Sequence, residues 1–282
     1  DHMSKLPPEL VHRIIHDFDY PDLLPLLQTS RRWREIAMDA PAYWAVISVS
    51  SASDSAAQSL LARLAHSKER PFKLSVRVPT DWPQMGLLFP VILAHLAHAT
   101  EVDLQVHVAQ TGVLLSSLSH AAQLLQSVKL HVVLNGQDDD LPVLPSDIFD
   151  KCAPELRYLV LHNIALSAAY PINAFLGVRW LRFGFNTEPV VTPAPNLFAC
   201  FPGLRVLFLH GSVSLRHWST IDAESWSHLR MVGFNLYNGS SIVDCPLQIL
   251  PLVDIPHVEL GFPTFADIEP LLSHFEGPVH VA

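Results

Sequence analysis

An α/β chain is predicted, with a short N-terminal set of three helices followed by stacked strand–connector units that share one parallel sheet. Two patterns carry this prediction. Residues 6–47 hold three helical runs, each closed by proline or acidic punctuation. From residue 74 onward, short period-2 apolar runs recur in nine places, at steps of 21 to 31 residues. Composition agrees: the 282 residues are 49% hydrophobic and 16% charged, which provides for a large core and argues against disorder.

The first helix follows Pro7 and Pro8. A first-turn proline loses no intrahelical hydrogen bond, so these can open it. Leu10, Val11, Ile14, Ile15 and Phe18 then share one face at helical period. Asp17, Asp19 and Pro21 close the run. Leu23, Leu24, Leu26 and Leu27 form a second apolar patch. Proline fits only the first turn of a helix, so Pro25 sets the expected start of this helix near Pro21 or Asp22. Thr29 and Ser30 are candidate N-caps for a third helix carrying Trp33, Ile36 and Ala37. Pro41 ends it, ahead of Tyr43 and Trp44. A domain of about 40 residues rarely buries enough surface to stand alone. Part of this apolar surface is therefore expected to meet the rest of the chain or another protein.

The ordered set Leu6-Pro7-Pro8-Glu9-Leu10, Ile14, Asp22-Leu23-Leu24, Arg31-Arg32-Trp33, Asp39-Ala40-Pro41 and Trp44 resembles the F-box motif, over residues 4–48. Two features depart from it. Thr29-Ser30 stands where the family often has Val-Cys, and Pro25 falls early in the second helix. The resemblance implies docking on the Skp adaptor, and through it on the cullin, of a ubiquitin ligase. The adaptor-binding residues it implies are Leu6, Pro7, Pro8, Leu10, Ile14, Leu23, Leu24, Leu27, Trp33 and Trp44. Apolar anchors and tryptophan are the types that dominate such interfaces.

Residues 49–70 read as a linker and connecting helix: a small-residue run to Ser55, then Ala56 to His66 with Leu60, Leu61 and Leu64 on one side. Residues 71–282 hold the recurrent unit. Its runs begin at Leu74, Val102, Val128, Leu159, Leu181, Leu207, Val232, Val258 and Val279. Three copies, starting at Leu156, Leu204 and Leu229, fit L-x-x-L-x-L or its apolar equivalent. The steps cluster near the leucine-rich-repeat period of about 20–29 residues. The consensus asparagine after the strand has one counterpart, Asn163. Between the runs, Gln84–Ala99 and Gly112–Leu125 have helical spacing, and Ser146–Lys151 reads as a short helix. Thr187–Pro195 and Asp244–Pro256 each hold three prolines and read as extended connectors. Each unit has an apolar side it cannot cover alone, so neighbours must stack. This resembles the irregular leucine-rich-repeat solenoids of fungal, basidiomycete-type F-box proteins. An ordinary α/β sandwich is the alternative. Repeat arrays end in polar caps, and Val279–Val281 is followed by none, so the array is expected to continue or to end on an unusual cap.

The net charge of −9 weighs against nucleic-acid binding. Mean hydropathy is +0.26, yet the most apolar stretch, Met85–Ala99, is interrupted by Pro90, His95 and His98 and is too short to span a bilayer. No signal-peptide pattern opens the chain. Cys152, Cys200 and Cys245 make no metal or redox motif and suit a reducing compartment, cytosol or nucleus. Asn238-Gly239-Ser240 reads as a turn. There is no glycine-rich phosphate loop, no G-x-S-x-G and no H-E-x-x-H. His95 and His98 lack a third ligand, and Asp138-Asp139-Asp140 reads as a solvated loop tip. No catalytic residue, cofactor or metal is expected.

The face of the sheet away from the core is the better candidate. Strand side chains alternate, so the middle and following residues of each run share that face. Its central units offer Lys129, His131, His162, Arg182, Phe208 and His210, a locally basic strip with one aromatic ring. Such a strip suits a protein segment with acidic or phosphorylated side chains; the plainer reading is a sheet face that is polar because it is solvated. Arg157, Arg179, Arg205 and Arg230 read as scaffold. The expected function is a non-enzymatic substrate receptor, acting by proximity. The alternative is an interaction scaffold with a degenerate F-box.

Overall fold

The computed structural model describes residues 6–16, 18–78, 82–136, 140–166, 171–186, 197–211, 226–235 and 255–261. The run at Val279–Val281, Cys245, Asn238–Ser240, Asp138-Asp139, Thr187–Pro195 and most of Asp244–Pro256 lie outside the described residues.

Four helices come first: α1 (Pro8–Ile15), α2 (Tyr20–Thr29), α3 (Arg31–Asp39) and the single turn α4 (Pro41–Trp44). Asp19 caps α2 rather than closing α1, and its backbone N–H donates to Asp22 Oδ2 at 3.3 Å. Because α2 starts at Tyr20, Pro25 lies beyond the first turn, where it removes one helical hydrogen bond. Ser30 caps α3, accepting from the Trp33 N–H at 3.3 Å. Pro41 ends α3 and also opens α4, a fourth helix the sequence reading missed. Val11, Ile15, Leu23, Trp33, Ala37, Ala40 and Tyr43 form a compact core of their own.

The chain then enters β1 (Val46–Val49), α5 (Asp54–Ser67), β2 (Phe72–Arg77), α6 (Met85–Ala94), β3 (Ala99–His107), α7 (Thr111–Ser117), β4 (Ser127–Val133) and the short β5 (Val143–Leu144). It continues through β6 (Tyr158–His162), the short β7 (Ala165–Leu166), β8 (Trp180–Phe185), α8 (Leu197–Cys200), β9 (Val206–Gly211), β10 (Met231–Asn235) and β11 (His257–Gly261). Nine strands make one sheet in the order β1-β2-β3-β4-β6-β8-β9-β10-β11, and each neighbouring pair is parallel. β5 and β7 pair separately. The first eight recurrent runs are all strands of the large sheet. β1 was not anticipated. The linker expected over residues 49–70 begins inside this strand, yet Ile47 and Val49 are buried against the sheet's core.

Strand order follows chain order, and parallel crossovers share one hand, so the connectors gather on one side. There Leu60, Leu64, Leu88, Phe89, Ile92, Leu114 and Leu118 join the inward strand residues in one continuous core. Between units, Asn163 fixes the spacing. It is fully buried at φ 55°, donates from Nδ2 to the Val132 carbonyl at 2.7 Å, and accepts at Oδ1 from the Asn186 N–H at 2.8 Å. One side chain thus ties β4 to the end of β8. No described helix is long and apolar enough to cross a membrane.

Candidate functional site

Two surfaces carry the residues singled out in the sequence. On the N-terminal helices, the apolar stripe of α1 is wider than its core requires. Val11 and Ile15 face the helical core, each 1% exposed, while Leu10 and Ile14, one turn apart, are each 47% exposed. Leu24 on α2 is 41% exposed. The ten residues therefore divide. Leu10, Ile14, Leu24 and Pro7 reach solvent. Leu6, Leu27 and Trp44 are half-buried against the helical core, with the Trp44 Nε1–H donating to the Asp39 carbonyl at 3.2 Å. Pro8 is the first residue of α1. Leu23 and Trp33 are buried inside the core, so they hold the helices together and are not surface contacts of this fold.

Arg63 of α5 joins this bundle to the sheet. It is 2% exposed. Its Nε–H donates to the Tyr43 carbonyl at 2.7 Å, its Nη2 donates to the Val46 carbonyl, and its guanidinium lies 3.6 Å from the centre of the Tyr20 ring. Burial lowers its pKa, with Tyr20 and Tyr43 opposing. Around it, the Tyr20 hydroxyl meets Ser59 Oγ at 2.9 Å and Arg70 pairs with Asp39 at 2.9 Å.

The second surface is the sheet face away from the core. The register lines up three rows across it. One runs Ser75, Asp103, Lys129, Val160, Arg182, Phe208, Gly233, Glu259, and the next runs Arg77, Gln105, His131, His162, Gly184, His210, Asn235, Gly261. All six strip residues lie in these two rows. The third row was missed: Lys73, Glu101, Ser127, Tyr158, Trp180, Val206, Met231, His257. Stepping back two residues from Val160 and Arg182 finds it, since i and i+2 share a face.

That row changes the character of the strip. Tyr158 and Trp180 stack at 3.9 Å with planes 12° apart, and Phe208 lies 5.3 Å from Trp180. Lys129 Nζ sits 5.8 Å from the Tyr158 ring centre. Glycine makes room for two of the rings. A Cβ on Gly233 would fall 2.2 Å from Phe208 Cδ1, and one on Gly184 would fall 2.0 Å from the His210 carbonyl and 2.5 Å from its ring.

The histidines are not the cations the strip was expected to hold. His162 and His210 stack at 4.6 Å across Gly184, with His162 Nδ1 2.5 Å from His210 Nε2, and His131 lies 5.7 Å from His162. Burial, reinforced by the neighbouring imidazole and Arg182, pushes His131 down to about 4 and His210 down to about 3; burial also lowers His162. All three are neutral at pH 7. Positive charge on the central strands therefore comes from Lys129 and Arg182. Toward β2, by contrast, charges are paired: Lys73 with Glu101 and Arg77 with Asp103, each at 2.5 Å. Among the described residues no carboxylate pairs with Lys129 or Arg182. A pocket of about 200 Å³ opens beside Arg182, Phe208, His210, Asn235 and Glu259. Arg157 and Arg205, read as scaffold, bond the Pro154 and His228 carbonyls at 2.7 and 3.4 Å.

The class of protein this outlines is a mixed α/β one, with a helical N-terminal module set on a large parallel sheet. Compared with known families, residues 3–50 match the F-box-like domain. That match covers α1 to α4 and β1, including Leu10, Ile14 and Leu24. No curated protein matches the chain.

Proposed function

We propose that this chain is the substrate-recognition subunit of a Skp–cullin–F-box ubiquitin ligase. In this reading the F-box-like helices bind the Skp adaptor, the adaptor brings the cullin, and the sheet captures a target protein. The observation that carries it is the exposure of Leu10, Ile14 and Leu24 within the segment that matches the F-box-like domain. A helical core that leaves three large apolar residues open has surface to bury elsewhere. The sheet is read as an irregular leucine-rich-repeat-like solenoid. Support comes from its sequential parallel order, its recurring step, and the buried asparagine that ties neighbouring units. The mechanism is proximity: the receptor raises the effective concentration of target near the ligase and contributes no catalytic group. Arg63 then matters because a fixed joint holds the captured target at a set distance.

The test is assembly. Purified chain, Skp adaptor and cullin should co-migrate as one ternary species in size-exclusion chromatography. Chain and cullin without adaptor should elute apart. Elution of the chain alone in both mixtures would overturn the proposal. It would favour a non-ligase interaction scaffold, a reading that Pro25 inside α2, next to Leu24, also favours.

A further inference from the structure

We propose that the aromatic cluster Tyr158, Trp180 and Phe208, with Lys129 and Arg182, is the subsite for an extended acidic protein segment: one bearing an aromatic side chain between carboxylates three residues apart. This rests on reading the sheet as the part that captures a target.

Three observations lead to it. First, rings of this size stand on a polar face where no core explains them. Tyr158, Trp180 and Phe208 are half-buried and lie side by side across three strands. Exposed tryptophan and tyrosine are the residue types that most often anchor a partner. Second, charge on this face is balanced at one end and unbalanced in the middle. Lys73 and Arg77 have carboxylate partners; Lys129 and Arg182 have none among the described residues. Asp103, the register neighbour of Lys129, is held by Arg77. The partner that completes the face is therefore anionic. Third, spacing sets the pattern. Lys129 and Arg182 share a row two strand steps apart, about 9–10 Å. A segment in the extended polyproline II conformation crossing the strands advances about 3.1 Å per residue and repeats its face every third residue, so carboxylates at positions i and i+3 lie on one side and meet both cations. The side chain between them then lies over the Tyr158–Trp180 stack.

The same face distinguishes carboxylates from phosphate. A dianionic phosphate is best held by several convergent cations, arginine above all. Here one lysine and one arginine stand apart, and the adjoining imidazoles are neutral, His131 and His210 with values pushed to about 4 and about 3. Two separated monoanions suit two separated cations.

The experiment is selection from a random dodecapeptide display library on the intact chain, followed by titration of the selected peptide. Enrichment of Asp or Glu at i and i+3 around Phe, Tyr or Trp is expected. The selected peptide should bind Lys129→Gln/Arg182→Gln at least tenfold more weakly. On Trp180→Ala, replacing the peptide's aromatic residue with alanine should no longer weaken binding. Circular dichroism and melting of each variant report whether the sheet is intact, and Arg182→Gln alone serves where the double variant melts early. Enrichment of basic peptides, no enrichment at all, or affinity unchanged in every variant would overturn the proposal. So would a tenfold gain on replacing either acidic residue with phosphoserine. Adaptor assembly is measured separately, so loss of the ligase reading and loss of this subsite are told apart.

Discussion

Arg63 offers the sharpest test of how the two parts are joined. Arg63→Met keeps much of the aliphatic bulk and removes the guanidinium. Two hydrogen bonds from a charged donor, to the carbonyls of Tyr43 and Val46, are lost, at about 1.5–3 kcal/mol each. The contact over the Tyr20 ring adds about 1–2 kcal/mol when desolvated. Against these stands the relief of no longer burying a charge, several kcal/mol. The balance is a net loss of about 2–4 kcal/mol. For a chain of this size that lowers Tm by about 5–10 °C. Urea unfolding followed by far-UV circular dichroism and by tryptophan fluorescence would measure it. Trp33 and Trp44 report the helical bundle, and Trp180 and Trp226 the sheet. The two probes should coincide in the native chain and separate in the variant, with the helices melting first. A loss below about 1 kcal/mol with the probes still coincident would refute the view of Arg63 as the joint.

Three further outcomes follow from burial and charge. Leu23→Ala should destabilise the helices by about 2–5 kcal/mol because Leu23 is fully enclosed, whereas Leu10→Ala should stay within about 0.5 kcal/mol; urea melts separate them. Asn163→Ala should lose about 3–5 kcal/mol, from two buried hydrogen bonds and the strain of alanine at φ 55°, and Asn163→Gly should lose less because glycine accepts that conformation. Unfolded histidine titrates near pH 6.5, but folded His131 and His210 take protons only at about 4 and about 3. Between those limits the unfolded chain holds more protons, so stability should fall as pH drops from about 6.5 toward 4. NMR titration should show both rings neutral at pH 5.5, and His131→Gln should flatten the dependence of Tm on pH.

The periodic parts of this fold are plain in the sequence, and the parts that depend on neighbours are not. Alternation at Leu74, Val102, Val128 and their successors marks buried strand positions because each inward residue meets the same kind of partner in the next unit. β1 escaped because only Ile47 and Val49 are inward apolar positions, set among Ser48, Ser50 and Ser51, and its strand character comes from pairing with β2. In α1 the apolar residues were legible but their division was not: Val11 and Ile15 turn inward because α3 and its Trp33 lie there, which local spacing does not encode. The same limit applies on the sheet face. Lys129, Arg182 and Phe208 fell into one row as alternation requires. The lowering of His210 comes first from burial and then from the His162 ring stacked on it across Gly184, a contact between residues 48 apart in the chain. The Tyr158–Trp180 stack was within reach of the period-2 rule applied two residues earlier.

The measurement that bears most directly on the ligase reading is a co-expression pull-down with the Skp adaptor, comparing the intact chain with Leu10→Asp/Leu24→Asp. Both residues are exposed, so the variant should keep the intact chain's circular dichroism and Tm. The expected result is stoichiometric recovery of adaptor with the intact chain and loss of at least tenfold with the folded variant. Equal recovery with both would contradict the assignment of this surface, and no recovery with either would contradict the adaptor itself.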